Sequence, residues 1–265
     1  MHRSASISKI LVAKFNQHAP LEESRQLARF ANCLWQTATM LTSLAFVLAS
    51  QVSITPANRM GEAWWKDRHD RCVAQTKQGG HELIFIGDSI TQGWEGGGKA
   101  TWDKYYGSRK AANYGFSGDR TEHVLWRMEN GEIVGEKPKV AVMMIGTNNI
   151  GHGSSDAAAT ALGVKTIVGK LRTAMPATKI LLLGIFPRGA TATDKMRMDV
   201  ASATAQFSSL ADGKNVFFLD IGRAYVSKDG DMWKGLMPDL LHPNPAGYEI
   251  WAKAMEPTLK NLLGE

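Results

Sequence analysis

The sequence predicts an α/β fold in which a parallel sheet is covered by helices on both faces, and three observations indicate this class. Five short apolar runs alternate with segments of helical periodicity, as in βαβ units. Hydrophobic residues make up 44% of the 265 residues and charged residues 21%, which is ordinary globular usage and excludes disordered and fibrous chains. The two cysteines, Cys33 and Cys72, are too few for a disulfide framework or a cysteine-rich zinc site.

The five predicted strands lie between residues 82 and 219. Each is a short, mostly apolar run, which is typical of parallel strands that are buried on both faces. They are Glu82–Ile86, Ala111–Tyr114, Lys139–Ile145, Lys179–Phe186 and Asn215–Leu219. Because crossovers between parallel strands are right-handed, the loops that follow the strands lie along one edge of the sheet, where such folds bind their ligands.

Helices are predicted where apolar residues recur along one face and end signals follow. Pro176 ends the second of these segments, and Asn244 and Pro245 have the residue types of an N-cap and a first helical position. The segments are Thr121–Asn130, Ser155–Ala174, Asp194–Ala211 and Pro245–Leu263.

Residues 1–55 are predicted to be a leader, and residues 56–265 the folded domain. Residues 31–50 carry no charge and follow Arg25 and Arg29, which fits the apolar region of a secretory signal. Threonine and serine side chains make this stretch marginal as a bilayer span, so no stable span is expected after processing. We favour a secreted or periplasmic protein; a signal anchor and a buried helix of a cytoplasmic protein are the alternatives.

The net charge of +6 does not predict a nucleic-acid partner. Residues 1–50 account for half of the charge, with five basic and two acidic residues. Elsewhere Lys and Arg are interspersed with Asp and Glu, whereas a phosphate-binding surface needs a basic patch. The mild positive excess favours solubility.

The first predicted strand is followed by Gly87, Asp88, Ser89 and Ile90. A serine at a sharp turn between a strand and a helix is exposed, and its hydroxyl lies near the free backbone N–H groups at the helix start. The same residue types also form helix N-caps. This motif alone therefore leaves a nucleophile and a capping serine equally open.

Two further loops contain residues that suit an oxyanion hole. Glycines in Gly115–Asp119, after the second strand, allow backbone N–H groups to point into the crevice. Asn148, in Gly146–Asn149 after the third strand, has an amide that donates to a developing negative charge without carrying charge itself. A plain βα turn and an ordinary polar turn are the alternatives.

A histidine with an aspartate three residues before it lies just ahead of the last predicted helix. Asp239 can accept a hydrogen bond from Nδ1 of His242, which fixes the tautomer and leaves Nε2 to accept a proton. A capping Asp beside an unrelated surface His is the alternative. Together, the four motifs supply a nucleophile, a base, an orienting carboxylate and oxyanion donors.

Ser89, Gly118, Asn148 and His242 resemble the four residues after which the SGNH (GDSL-like) hydrolase family is named, and the resemblance extends over residues 60–263. The nucleophile motif reads GDSI in place of GDSL, which exchanges one aliphatic residue for another. Three segments are most similar to the α subunits of intracellular platelet-activating factor acetylhydrolase, a group that several bacterial carbohydrate acetylesterases also resemble. These segments are Tyr114–Glu132, Lys137–Asn149 and Gly184–Gly189.

The resemblance implies a three-layer, flavodoxin-like fold with a five-stranded parallel sheet in the order 2-1-3-4-5. It also implies hydrolysis of short acyl esters without a metal or other cofactor. Ser89 is then the nucleophile, His242 the base and Asp239 its orienting partner. The oxyanion donors are the backbone N–H groups of Ser89 and Gly118 and the side chain of Asn148. The predicted leader departs from the cytosolic acetylhydrolase subunits, and this favours a substrate other than lipid.

The substrate class is predicted from residues placed beside the crevice. Trp94 and Trp233 are candidate substrate-binding residues, because an aromatic ring can stack on a sugar or pack against an alkyl chain, and Arg188 is a third candidate. For Trp94, Trp233 and the nearby Met232 and Met237, the alternative is a place in the core. With export, these residues favour an esterase acting on O-acetyl groups of small or polymeric carbohydrates.

Other functions remain as alternatives or are excluded by missing motifs. An acetylhydrolase or lysophospholipase-like esterase acting on lipids is the alternative within the class, and a non-catalytic carbohydrate-binding module is the alternative outside it. The sequence has no H-E-x-x-H, and His81, His123 and His152 lack metal-ligand spacing. It also has no G-x-x-x-x-G-K-[ST] phosphate-binding loop.

Overall fold

In the computed structural model the described residues are 29–37 and 51–265, and the chain divides into two units, Met1–Leu48 and Ala49–Glu265. Residues 29–37 of the first unit form a helix whose side chains are exposed. The rest of the predicted leader up to residue 50 lies outside the described residues. Within the described ranges, no helix combines the length and the apolar character needed to cross a membrane.

The second unit contains a parallel sheet whose strands occur in the order β2-β1-β3-β4-β5. This confirms the order that the family resemblance implies. Each predicted strand matches an observed one to within three residues at either end. The strands are β1 (Leu83–Gly87), β2 (Ala111–Gly115), β3 (Val140–Met144), β4 (Lys179–Leu183) and β5 (Val216–Leu219).

Helices follow or precede every strand of residues 51–265. They are α1 (Ala63–Gln78), α2 (Ser89–Gln92), α3 (Lys99–Tyr106), α4 (Thr121–Arg127), α5 (Thr147–Gly151), α6 (Ala157–Ala174), α7 (Lys195–Ser208) and α8 (Pro245–Leu263). Single 3₁₀ turns occur at Gly93–Glu95 and Gly222–Tyr225, and a π-type turn at Met128–Glu132 continues α4.

Two apolar layers pack against the sheet, one on each face. Along β1, Ile84 and Ile86 belong to the layer covered by α1, α4, α6 and α7, whereas Leu83 and Phe85 belong to the layer covered by α3 and α8. Because successive side chains point to opposite faces, both layers need apolar residues, and the strand becomes a continuous apolar run. The three-layer architecture follows from this pattern.

The sequence did not indicate α1 or α3, and it placed the start of the domain slightly too late. The buried face of α1 includes Arg68, His69 and Thr76, so its apolar periodicity is weak. Ser53 is fully buried, and its carbonyl accepts a 2.8 Å hydrogen bond from Oγ1 of Thr121. The folded unit therefore includes residues that precede the predicted boundary at position 56.

Candidate active site

The carboxyl ends of three adjacent strands bring three of the predicted loops side by side. Gly87 at the end of β1 is in register with Gly115 of β2 on one side and with Met144 of β3 on the other. The segments that begin at Asp88, Phe116 and Ile145 therefore leave the sheet next to one another. This places Ser89, Gly118 and Asn148 at a common edge, where parallel sheets bind ligands.

Close backbone approach explains the glycine at position 87. A Cβ atom there would lie 2.1 Å from Oγ1 of Thr91 and 2.5 Å from the carbonyl oxygen of Met144. Both distances are far below van der Waals contact, and the carbonyl belongs to the neighbouring strand. Only glycine therefore lets α2 fold back tightly over the ends of β1 and β3.

The turn after β1 separates the two roles that the sequence left open. Asp88, not Ser89, caps α2, because its carboxylate accepts a 3.0 Å hydrogen bond from the backbone N–H of Ile90. The Ser89 hydroxyl instead lies 2.9 Å from Nε2 of His242. Residues 153 positions apart are thus joined by a hydrogen bond.

His242 is in turn held by Asp239. Oδ2 of Asp239 lies 2.5 Å from Nδ1 of His242. Oδ1 of Asp239 accepts the backbone N–H groups of Leu241, at 3.0 Å, and of His242, at 2.7 Å. Burial raises the pKa of Asp239, but these hydrogen bonds outweigh it and the pKa lies below its usual value. A carboxylate is therefore present beside the imidazole at neutral pH.

Backbone geometry and α8 fix the segment that carries this pair. Leu240, between Asp239 and His242, has a φ of 64°, a left-handed conformation that is rare for a branched side chain. Its carbonyl accepts a 3.1 Å hydrogen bond from the backbone N–H of Gly189. The hydroxyl of Tyr248 in α8 donates to the carbonyl of Ile90 in α2 at 2.7 Å. The first contact holds the histidine segment to the loop after β4, and the second connects α8 to the serine turn.

Gly118 is oriented through the peptide bond that precedes it. A guanidinium nitrogen of Arg59 donates to the carbonyl of Ser117 at 2.6 Å, and Gly118 has a φ of 72°. In a trans peptide the N–H points away from the adjoining carbonyl, so the N–H of Gly118 faces away from Arg59. Among the described residues this N–H has no hydrogen-bond acceptor. It is available to a ligand oxygen.

The Asn148 amide is fixed by one of its two hydrogens. Nδ2 of Asn148 donates to the backbone carbonyl of Asp119 at 2.9 Å, and the residue is buried. An amide nitrogen carries two hydrogens, so the second remains to be donated. Gly118 and Asn148 are therefore linked through the residue that follows Gly118.

Asp88 is a buried carboxyl directly beside the serine. It is almost fully inaccessible, and burial raises its pKa to about 7. The hydrogen bond from Ile90 and the charge of Arg188 oppose this rise only in part. The two aspartates of the site thus differ in the direction of their pKa shifts.

The prediction that Trp94 contacts a substrate is wrong. Trp94 is completely buried and packs against Tyr106, Tyr248 and Trp251 in the layer under α8. An indole close to Ser89 in the sequence is compatible with a position at the rim of the crevice or in the core, and the structure places it in the core. Met232 and Met237 are buried as well, in accordance with the alternative stated for them.

Arg188 and Trp233 remain available near the site. Arg188 is half-buried, and its guanidinium donates to the carbonyl of Thr147 at 2.8 Å, next to Asn148. Burial lowers its pKa, and the charge of Asp88 opposes this. Trp233 is 59% exposed on the segment that leads to Asp239. Their contact with a substrate stays a prediction.

Sequence reasoning missed Arg59, Asp119 and Arg127. Arg59 precedes the first predicted element, and no motif marks it. Asp119 ends a glycine-containing loop in the sequence, and no motif marks its carboxylate. A fully buried arginine such as Arg127 can be recognised only when its carboxylate partners are brought together by folding.

Comparison with known proteins places the chain in a family. The GDSL-like lipase/acylhydrolase family matches residues 85–250. The chain is 33% identical to platelet-activating factor acetylhydrolase IB subunit alpha1 of Homo sapiens over 205 residues, which cover 77% of this chain and 87% of that protein.

Solved structures show the same fold at lower sequence identity. A GDSL-like lipase from Bacteroides thetaiotaomicron superimposes with a TM-score of 0.60 at 16% identity, covering 73% of this chain and 97% of that one. An acetylxylan esterase from Geobacillus stearothermophilus gives 0.54 at 20% identity, covering 71% and 95%. The chain therefore belongs to the GDSL-like lipase/acylhydrolase family and is an esterase of the SGNH type.

Proposed function

We propose that the protein hydrolyses short-chain, acetyl-type esters with Ser89 as nucleophile, His242 as base and Asp239 as its orienting partner. The observation that carries this proposal is the chain of contacts from the serine to the imidazole, 2.9 Å, and from the imidazole to the carboxylate, 2.5 Å. A nucleophile, a base and an orienter within hydrogen-bond reach are the arrangement that acyl transfer needs.

In the first half-reaction the Ser89 oxygen bonds to the ester carbonyl carbon, and its proton passes to Nε2 of His242. The carbonyl oxygen becomes an oxyanion, which the N–H groups of Ser89 and Gly118 and the amide of Asn148 stabilise. The bond to the alkoxide then breaks, and the imidazolium returns its proton to the leaving alcohol. The acyl group remains on Ser89.

In the second half-reaction a water molecule attacks the acyl-serine carbonyl while His242 accepts one of its protons. The carbonyl oxygen again becomes an oxyanion, and the same N–H donors stabilise it. When the bond to Ser89 breaks, the proton on His242 returns to the serine oxygen, and the free acid leaves. The Asp239 carboxylate stabilises the imidazolium in both halves.

A fluorophosphonate probe tests the nucleophile, because it reacts with activated serines and not with capping ones. The wild type should be labelled and should hydrolyse 4-nitrophenyl acetate, whereas Ser89→Ala should lose both properties. Ser108→Ala, a change at an exposed serine, is the matched control and should keep both. Full activity in Ser89→Ala would contradict the proposal, and a wild type that is neither labelled nor active would favour a non-catalytic binding module.

For the substrate, we propose O-acetyl groups on carbohydrates. Trp233 offers an exposed indole on the segment that carries Asp239 and His242, and an indole can stack on a sugar ring. The acetylxylan esterase named above shares the fold. We expect Trp233→Ala to raise KM for acetylated xylan and to leave KM for 4-nitrophenyl acetate unchanged.

A second candidate substrate is a platelet-activating-factor-like acetyl ester. The observation in its favour is the 33% identity to the human acetylhydrolase subunit, which is higher than the identity to the acetylxylan esterase. Hydrolysis rates on acetylated xylan and on platelet-activating factor separate the two. A preference for octanoyl over acetyl nitrophenyl esters would count against both.

We also propose that the protein is exported. The support is the uncharged stretch of residues 31–50 behind Arg25 and Arg29. Mass spectrometry of the mature N-terminus tests the proposal. Cleavage near residue 50 is the expected result, and an intact leader in a cytoplasmic fraction would contradict it.

A further inference from the structure

We propose that a buried charge cluster, formed by Asp119, Arg127, Glu132, Arg59 and Trp65, positions the oxyanion donors for catalysis. The inference rests on the proposed function, and it assigns these residues a positioning role, since they act through Gly118, Asn148 and the serine turn. We call this set the Asp119 cluster.

Asp119 is the centre of the cluster. Its side chain is fully buried, and both carboxylate oxygens are bound. Oδ1 accepts hydrogen bonds from the indole of Trp65 at 2.8 Å and from Arg59 at 3.0 Å, while Oδ2 accepts one from Nε of Arg127 at 2.8 Å. Three donors from three separate segments therefore fix the residue that follows Gly118.

Arg127 binds Asp119 and connects it to further groups. Its guanidinium is fully buried, pairs with Glu132 through Nη1, and lies 4.0 Å from the centre of the Phe116 ring. Nη2 also lies 3.4 Å from the carbonyl of Gly87, two residues before Ser89. One rigid, planar cation thus spans the glycine loop and the serine turn.

A few hydrogen bonds connect the Asp119 cluster to the segments that carry the proposed oxyanion donors. The carbonyl of Asp119 accepts the Asn148 amide, and Arg59, bound to the Asp119 carboxylate, also holds the carbonyl of Ser117. Arg127 approaches the carbonyl that precedes the Asp88–Ser89 turn. A shift of Asp119 would therefore move Gly118 and Asn148 together.

Stability is a poor explanation for such a cluster. Burying charges costs desolvation that their mutual attraction only partly returns, and well-packed apolar residues often serve as well. What a paired and hydrogen-bonded cluster does provide is a single fixed geometry in a close-packed interior. Oxyanion donors need that property, because they stabilise charge only where it develops.

The test compares two arginines with similar pairing at opposite ends of the sheet. Arg109 is less buried, with 10% of its side chain exposed against none for Arg127, and it binds Glu256 and Glu265 near the start of β1. We expect Arg127→Lys to lower kcat for 4-nitrophenyl acetate by about 10- to 100-fold, with KM within about threefold of wild type. Arg109→Lys should lower thermal stability and leave kcat unchanged.

A second readout isolates the oxyanion hole from general loss of structure. The Ser89 oxygen adds to the carbonyl carbon of an aryl trifluoromethyl ketone, and the serine proton passes to His242. The ketone oxygen then becomes an oxyanion in the proposed oxyanion hole. Arg127→Lys should weaken this inhibitor by the same factor as kcat, and the pH midpoint of kcat/KM should not move. A shifted midpoint with unchanged inhibitor affinity would overturn the inference.

Arg59→Met serves if Arg127→Lys fails to fold, because the Arg59 side chain is 18% exposed and removing it disturbs the core less. We expect Arg59→Met to lower kcat and inhibitor affinity by about tenfold. The double variant with Asn148→Ala should lose more kcat than Arg59→Met alone, but less than the product of the two single losses, because both changes act on the same donors. Unchanged kcat in Arg59→Met and in folded Arg127→Lys would overturn the inference. Since Ser89→Ala tests the nucleophile separately, that result would leave the proposed function intact.

Discussion

The two sides of the candidate site are held in opposite ways. On the oxyanion side, Asp119 and Arg127 are fully buried, and Asn148 is nearly so. On the acid–base side, the side chains of His242 and Asp239 are 39% and 54% exposed, and they lie on a loop. Both sides meet at Ser89.

This difference corresponds to the different tasks proposed for the two sides. Oxyanion donors must not move while charge develops, so a close-packed interior of low dielectric suits them. The imidazole of His242 must gain and lose a proton, and contact with water reduces the desolvation cost of its charged form. Substitutions on the two sides should therefore separate turnover from stability.

The largest effect is expected on the exposed side. Asp239→Asn keeps the backbone acceptor at Oδ1 but presents an amide to the imidazole, which selects the wrong tautomer of His242. We expect kcat to fall by about 10⁴-fold. The free energy of unfolding should change little, because the side chain is mostly in solvent. Steady-state kinetics and urea unfolding check this, with Asp231→Asn as the control on the same loop.

On the buried side, activity and stability should fall together. Asn148→Ala removes a proposed oxyanion donor and the hydrogen bond to the Asp119 carbonyl. We expect kcat to fall by about 10²- to 10³-fold with little change in KM, and the free energy of unfolding to fall by about 1 kcal/mol. Near wild-type turnover in this variant would remove Asn148 from the proposed mechanism.

Asn149→Ala is the matched control for Asn148→Ala. Asn149 is fully buried and exchanges hydrogen bonds with Thr121 at the start of α4. Its loss should destabilise the fold by about 2 kcal/mol, because it leaves buried groups of Thr121 without partners. Turnover should fall less than in Asn148→Ala. The reverse ranking would contradict the assigned roles.

The two aspartates that flank the serine and the histidine should respond differently to pH. The pKa of Asp88 is about 7 in the folded protein, above its value in the unfolded chain. At pH values between these two pKa values, the folded protein keeps the proton on Asp88 whereas the unfolded chain has released it. Stability from this group is present at low pH and is lost as the pH rises through about 7.

Asp88→Asn should remove this part of the pH dependence. Between pH 5 and pH 8 the wild type should lose about 2–3 kcal/mol more of its free energy of unfolding than the variant does. Urea unfolding at both pH values measures the difference. Equal losses in the two proteins would show that the Asp88 carboxyl is ionised throughout this range.

The smallest effect is expected at the strained turn on the exposed side. Leu240 and Leu241 are both partly buried against the same apolar layer, but only Leu240 has a positive φ. Leu240→Gly relieves that conformation while losing packing, whereas Leu241→Gly only loses packing. We expect Leu240→Gly to be less destabilising by about 1 kcal/mol. Equal losses would mean that the left-handed turn carries no strain.

The sequence was sufficient to identify residues whose position follows from topology. Ser89, Gly118 and Asn148 each follow a strand, so a parallel sheet brings them to one edge whatever the details of packing. His242 and Asp239 were identified by their spacing, since a turn of three residues already allows the contact. These inferences need only element order and local geometry.

Residues whose roles depend on packing could not be assigned in this way. Trp94 follows Ser89 closely in the sequence, yet its ring lies in the layer under α8. Arg127 lies in an amphipathic helix that was predicted, but its burial depends on carboxylates at Asp119 and Glu132. Arg59 lies before any periodic segment. Their environments are created by tertiary contacts, which periodicity does not encode.

The hydrogen bond between Tyr248 of α8 and the carbonyl of Ile90 has a consequence for how the enzyme matures. All five strands are synthesised before His242 and α8, so a nascent chain can build the sheet while it still lacks the proposed base. Docking of α8 then brings together Ser89 and His242, the pair with the longest sequence separation among the proposed catalytic contacts, and such late, non-local contacts are slow to form. Ester hydrolysis should therefore appear only after the sheet has formed, and it can serve as a readout of the final step of folding.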